Sequence, residues 1–169
     1  MKTKPARAAL LGSLCLLAAC AVTPPSAQVS MKTVRSENYG SYPKNYERRV
    51  RHYLNETLLD PDSAKIRISP PRKVFRIYNP EPKTFPPKTP KQLETSGYYL
   101  VCAEVNAKNT FGGYTGWQRH RYRFYKDGQM EDEQNLGSYG TDSSACVSQD
   151  EIFIDTWSVD RHIKINIVP

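Results

Sequence analysis

The chain lacks any apolar run long enough to cross a bilayer. Its best, Ala8 to Leu17, is about ten residues against the roughly 20 that a spanning helix needs. Histidine is scarce: His52, His120 and His162 are scattered, and neither they nor the cysteines fall at the short spacing of a metal site. No serine sits in the glycine-flanked elbow of a hydrolase. Basic residues outnumber acidic ones, 24 to 17, yet they form no concentrated stripe of the kind that grips nucleic acid. These absences turn the expectation away from a transmembrane protein, a metalloenzyme, a cofactor enzyme and a nucleic-acid binder.

What is present at the start is an address. Lys2, Lys4 and Arg7 precede the short apolar run, the pattern of a cleaved export signal. The run ends in Leu17-Ala18-Ala19-Cys20, which resembles the lipobox of bacterial lipoproteins. That resemblance implies cleavage before Cys20 and acylation of its thiol and new amine, with several chains giving a lasting anchor. An ordinary secretory signal cut nearby is the alternative. Ala21, where inner-membrane lipoproteins carry Asp, implies export to the outer membrane facing the periplasm, given a Gram-negative host. The expected organisation is a signal over 1–19, a lipidated Cys20 with a flexible tether over 20–41, and one globular periplasmic domain over 42–169. Loss of Lys2, Lys4 and Arg7 lowers the net charge from +7 to +4.

Cys15 leaves with the signal and Cys20 is taken by lipid, so Cys102 and Cys146 remain in an oxidising compartment. One disulfide between them is expected. Closing a loop of about 45 residues contributes about 4 kcal/mol in the chain-entropy picture.

In the rest of the chain, Tyr46, Val50, Tyr53, Leu54, Thr57 and Leu58 recur at helical spacing and predict one long amphipathic helix from Pro43 to Leu59. Its polar face carries Lys44, Arg48, Arg49, Arg51 and His52, a cluster suited to anionic headgroups or an acidic partner, and equally to a plain solvated helix face. Alternation over Ala64 to Ser69 and over Lys73 to Tyr78 predicts two short strands, or one strand broken at Pro70-Pro71. A proline-rich excursion over 79–96 leads to the strongest strand, Gly97 to Ala107, apolar on both faces at its start and therefore central. Trp117 to Lys126 predicts a second long strand. Asp127-Gly128 signals a hairpin, and a two-residue turn there places Arg123 opposite Asp132. Gln149 to Trp157 suits a short helix, though Ile152 and Ile154 also suit a strand, and His162 to Val168 suits a closing strand. The fold class expected is α+β: the long N-terminal helix packed on an antiparallel sheet of four to six strands, with one disulfide.

Between the two long strands lies Asn106-Ala107-Lys108-Asn109-Thr110-Phe111-Gly112-Gly113-Tyr114-Thr115-Gly116-Trp117. Together with Leu59-Asp60-Pro61-Asp62-Ser63-Ala64-Lys65 and Val101-Cys102-Ala103-Glu104-Val105, it resembles a family of small, largely uncharacterised bacterial exported proteins and lipoproteins. In these, a DPDSA segment is followed by VCxEVNAKNxFGGYxG. The resemblance spans about Tyr46 to Tyr125 and implies export rather than any particular activity. Glycines that permit tight turns around Phe111, Tyr114 and Trp117, beside Asn106, Lys108 and Asn109, make a candidate recognition loop. The competing reading is architectural, with the asparagines bonding their own backbone and the aromatics folded onto the core.

The function expected is non-catalytic: a binding module, as an accessory subunit of an envelope complex. Its partners would be the membrane through Cys20 and a periplasmic or envelope protein, or cell-wall glycan. Two alternatives are an inhibitor or immunity-type protein against a periplasmic lytic enzyme, and a glycan hydrolase using Glu104 and Asp62 if the fold pairs those carboxylates.

Overall fold

The computed structural model describes residues 26–79, 93–133, 143–156, 159 and 163–169. The structure is organised around one long strand, β4 (Glu94–Asn106), whose two faces are both buried over Tyr98 to Ala103. One edge of β4 pairs antiparallel with β5 (Gln118–Phe124), and β5 with the short β6 (Met130–Asp132). The other edge is shared by β2 (Lys65–Ile68) and β3 (Arg72–Tyr78), which follow one another along it like a single interrupted strand. Ser69 repairs the interruption: its amide donates to the Cys102 carbonyl at 2.8 Å, and its hydroxyl accepts from the Cys102 amide at 3.1 Å. Pro70 and Pro71, without a proline N–H to give, then cost the ladder little.

Beyond β3 lies β7 (Ile152–Asp155), running parallel to it, so the six-stranded sheet is mixed rather than antiparallel. A second, two-stranded parallel ribbon joins β1 (Ser26–Ser30) to β8 (Lys164–Val168). The expected α+β class with a long N-terminal helix is therefore corrected. Among the described residues the protein is mostly β, 43% strand, with only two short helices, α1 (Met31–Ser36) and α2 (Tyr46–Thr57). The helix expected from Pro43 to Leu59 stops short at both ends for local reasons. The Pro43 carbonyl closes a turn with the Tyr46 amide, and Leu58 takes extended backbone angles ahead of Asp60-Pro61.

From Ser26 on, the stretch expected as tether is built into the body; residues 1–25, with the signal and Cys20, lie outside the described residues. Ser30 caps α1 by accepting from the Thr33 amide at 3.1 Å. Val34 is fully buried, and the Tyr39 hydroxyl donates back to its carbonyl at 2.6 Å. Residues 37–39 press so closely on β4 that a Cβ at Gly97 would fall 2.6 Å from Glu37 Cγ. Gly97 is there because nothing larger fits.

The two faces of the sheet carry different cores. Val50 and Leu54 of α2 pack with Phe75, Ile77, Val101, Ala103, Val105, Tyr122 and Phe124, alongside Val34 and Tyr39. The opposite face is smaller: Val74, Tyr98, Leu100, Cys102 and Ala145. Ala145 belongs to a 3-10 turn (Ser143–Cys146) fastened by the Cys102–Cys146 disulfide. Of the two readings open for 149–157, a short helix or a strand through Ile152 and Ile154, the structure has the strand, β7, with Trp157 outside the described residues.

The hairpin after β5 turns through three residues rather than two. Tyr125 and Gln129 close it, with the Tyr125 amide donating to the Gln129 carbonyl at 2.9 Å, and Gly128 at φ +86° supplies the left-handed position. The extra residue shifts the register by one, so Arg123 pairs with Glu131 and Tyr122 with Asp132, not Arg123 with Asp132 as expected. The Arg123 charge is met instead by Glu133 at 2.8 Å.

Candidate functional site

Where β4 hands over to β5, the chain makes a hairpin-like projection. Lys108 and Tyr114 form an isolated antiparallel bridge, and the Thr115 amide donates to the Ala107 carbonyl at 3.1 Å. The tip turns at 109–112, with Gly112 at φ +78° and its amide donating to the Asn109 carbonyl. Asn109 Oδ1 accepts from the amides of Phe111 at 3.0 Å and Gly113 at 3.1 Å. Asn106 Oδ1 accepts from Gly116 at 3.1 Å. Both asparagine oxygens therefore hold the loop's own backbone, as the architectural reading expected. The aromatics do not fold back: Phe111 is 94% exposed, Tyr114 45% and Trp117 44%.

The base of the projection rests on the turn that follows α2. Within that turn the Ser63 amide donates to Asp60 Oδ1 at 3.2 Å. The Tyr114 hydroxyl donates to the Ser63 carbonyl at 3.0 Å, and Lys108 Nζ lies 3.7 Å from Asp60. Hydrogen bonds from Ser63, with help from the Lys108 charge, hold the Asp60 carboxyl below its usual range despite partial desolvation. The two stretches that resemble the exported family, 60–64 and 106–117, thus form one continuous surface. Leu59, at the head of the turn, is 75% exposed.

Strand β2 lends the aromatics a set of cations. Lys65 Nζ lies 4.7 Å from the Tyr114 ring centre, and the Arg67 guanidinium 4.1 Å from that of Trp117. Arg67 and Arg119 flank Glu104 at 3.7 and 3.6 Å. Glu104 is therefore an ion-paired, half-exposed carboxylate, unlike the desolvated acid that glycoside hydrolysis requires. All six loop residues singled out from sequence lie in this projection, with Asn106 and Asn109 internal, Lys108 paired and the three rings outward. Leu59, Lys65 and Arg67 were missed, although the alternation that exposes Lys65 and Arg67 on β2 was readable. Among the described residues, no group of three His, Cys, Asp or Glu side chains could hold a metal ion. His162 and Cys20 lie outside the described residues. No family model, curated protein or solved structure matches the chain.

Of the two described histidines, His120 is the one that burial desolvates. It stacks on Tyr122, with ring centres 6.4 Å apart, and its Nδ1 is buried without a hydrogen bond. Burial pushes the imidazole below its ordinary pKa, partly offset by the Asp132 charge. The unfolded chain then takes up a proton that the folded one resists, so folding stability falls as pH drops through the ordinary histidine value near 6.5. Urea midpoints at about pH 7.5 and 5.5 should show this fall, and His120→Gln should flatten it. An unchanged slope in the variant would assign the pH dependence elsewhere.

Proposed function

We propose that the chain is a lipid-anchored protein of the bacterial envelope, held through Cys20 at the periplasmic face of the outer membrane. It acts as a non-catalytic binding module whose contact element is the 106–117 projection with the turn at 59–64. The observation that carries this reading is Phe111. A bare phenylalanine, 94% exposed, tops a loop whose asparagine oxygens are already engaged within it. An aromatic anchor on a loop whose backbone is already held loses little backbone entropy on docking, which favours a binding hot spot. The export signal, the lipobox resemblance and the disulfide support the location.

The chemistry of the surface favours a protein partner over a glycan. Sugars stack on open ring faces, whereas Arg67 lies over Trp117 and Lys65 over Tyr114. The complementary surface is an apolar socket for Phe111 ringed by carboxylates that meet Lys65, Arg67 and Lys108. Phe111→Ala should weaken capture of that partner from solubilised envelope by about thirtyfold or more, the scale of a hot-spot truncation. Its melting temperature should stay at the wild-type value, because the ring is not buried. Equal capture by both proteins sinks the reading.

A further inference from the structure

Because β1 starts at Ser26, only residues 21–25 separate it from Cys20. Even fully extended, that stretch reaches about 20 Å. If the anchor proposed above is correct, the domain is held against the bilayer and does not range away from it. The element nearest the anchor is the β1–β8 ribbon, and it shares a layer with α1 and α2. Val29, Val34, Ile165, Val50 and Leu54 all enter one core cluster on the same face of the main sheet.

The outer side of that layer is basic. Residues 26–57 contain six basic and three acidic side chains. Lys32 and Arg35 of α1 are exposed, as is Lys164, which pairs with Ser26 at the very start of β1. Along α2, Arg48, Arg51, His52 and Asn55 line an open groove of about 600 Å³, together with Lys44 just before the helix. Lys44, Arg48 and Arg51 have no ion-pair partner among the described residues, and Glu47 is the one acid lining that groove. Arg49 differs: it turns inward to the Gly128 carbonyl and the Phe124 ring, which leaves its neighbours to face outward.

We infer that this layer, with Lys44, Arg48 and Arg51 at its centre, is the face on which the domain lies against anionic lipid headgroups. Two independent features meet in it, a leash too short for the domain to leave the surface and an unneutralised positive charge complementary to phosphate. The inference rests in part on the lipid-anchor reading. Its consequence is that the aromatic projection is presented by a domain already seated on the membrane, to a partner that is also at the membrane.

The test uses the chain from residue 20 with Cys20→Ser, which retains every described residue but carries no lipid. It is sedimented with vesicles of phosphatidylcholine alone or with one-third phosphatidylglycerol. Binding should appear only with phosphatidylglycerol and should fade toward about 0.5 M salt, as screening predicts. The triple variant Lys44→Gln, Arg48→Gln, Arg51→Gln should bind about a hundredfold more weakly, since each basic residue near such a surface is worth roughly fivefold. Circular dichroism should show it folded, since Arg48 and Arg51 are exposed helical positions that tolerate glutamine and Lys44 is exposed just before the helix. Equal binding to both vesicle types, no binding to either, or an unaffected triple variant overturns the inference. Loss on Phe111→Ala instead would move the membrane contact to the projection and overturn it too. Mass analysis of the Cys20 peptide from the native envelope tests the anchor separately. An unlipidated Cys20 removes the leash argument, and the vesicle result still decides the headgroup face.

Discussion

Glu133→Ala is expected to lower folding stability by about 3–5 kcal/mol, the scale seen when one member of a buried ion pair is removed. The Glu133 side chain is fully buried and takes two arginines. Arg123 donates to Oε1 from Nε at 3.1 Å and from Nη2 at 2.8 Å, and Arg121 Nε donates to Oε2 at 3.2 Å. Arg123 is itself only 6% exposed. It also lies 4.5 Å from the Tyr98 ring centre and donates to the Tyr125 hydroxyl at 3.1 Å. Burial works against the guanidinium charge while Tyr98, Glu133 and Tyr125 favour it, and an arginine is too basic for deprotonation to offer an escape from a lost partner. The variant must keep a buried cation that has lost the Glu133 carboxylate. A urea midpoint measured with an unchanged slope would read the loss directly. The double change Arg123→Met, Glu133→Leu should recover much of it, because removing both charges also removes their desolvation cost. A loss under about 1 kcal/mol for Glu133→Ala would show that the carboxylate does not neutralise Arg123.

That network also shows where the sequence was legible and where it was not. Three arginines alternating along β5, followed by acids after Asp127-Gly128, announce pairing across a hairpin. Which acid meets which arginine depends on one residue of turn length, and Asp-Gly serves two-residue and three-residue turns alike. Gly128 takes the left-handed position of the longer turn, so the neutralising acid is Glu133 beyond the end of β6. β4 was legible because its two faces are both apolar, and a strand buried on both sides has nowhere to sit except the centre.

The N-terminal segment was opaque for the opposite reason. Residues 26–41 have so few large apolar groups that no period emerges, yet Val34 and Tyr39 are enough to seat it, given Gly97 to receive it. Its strand partner is residues 164–168, at the far end of the chain, and no local pattern can reveal a parallel ribbon between termini. The same limit hid the parallel pairing of β3 with β7. In the candidate site, the projection was visible as a stretch of glycines and aromatics. Its union with the turn at 60–64 was not, because it is made by one tyrosine hydroxyl and one lysine across about fifty residues of chain.

Replacing both Cys102 and Cys146 by alanine is expected to lower stability by about 3–4 kcal/mol and the melting temperature by about 10 °C. The bond joins residues 44 apart, with Cα atoms 5.9 Å from one another. Its weight follows from the asymmetry of the two cores. The helix-covered face holds a broad buried cluster, whereas the opposite face has five buried residues, two of them Cys102 and Ala145. On that thinner side the segment 143–148 is held by the disulfide and by Arg72, which donates to the carbonyls of Ala145 and Ser148. Without the bond, the segment loses its covalent tie to β4 and relies on contacts such as those of Arg72 and the buried Ala145. Hydrogen exchange at the Val147 and Ser148 amides, both bonded to the Ser144 carbonyl, should then accelerate ahead of global unfolding. Reduction of the wild-type protein should reproduce the stability loss, and the double variant should be indifferent to reductant. A variant as stable as wild type, with those amides still protected, would mean that Arg72 and the buried Ala145 suffice. If the melting temperature falls while exchange at Val147 and Ser148 still tracks global unfolding, the bond acts by restricting the unfolded chain and does not clamp the sheet.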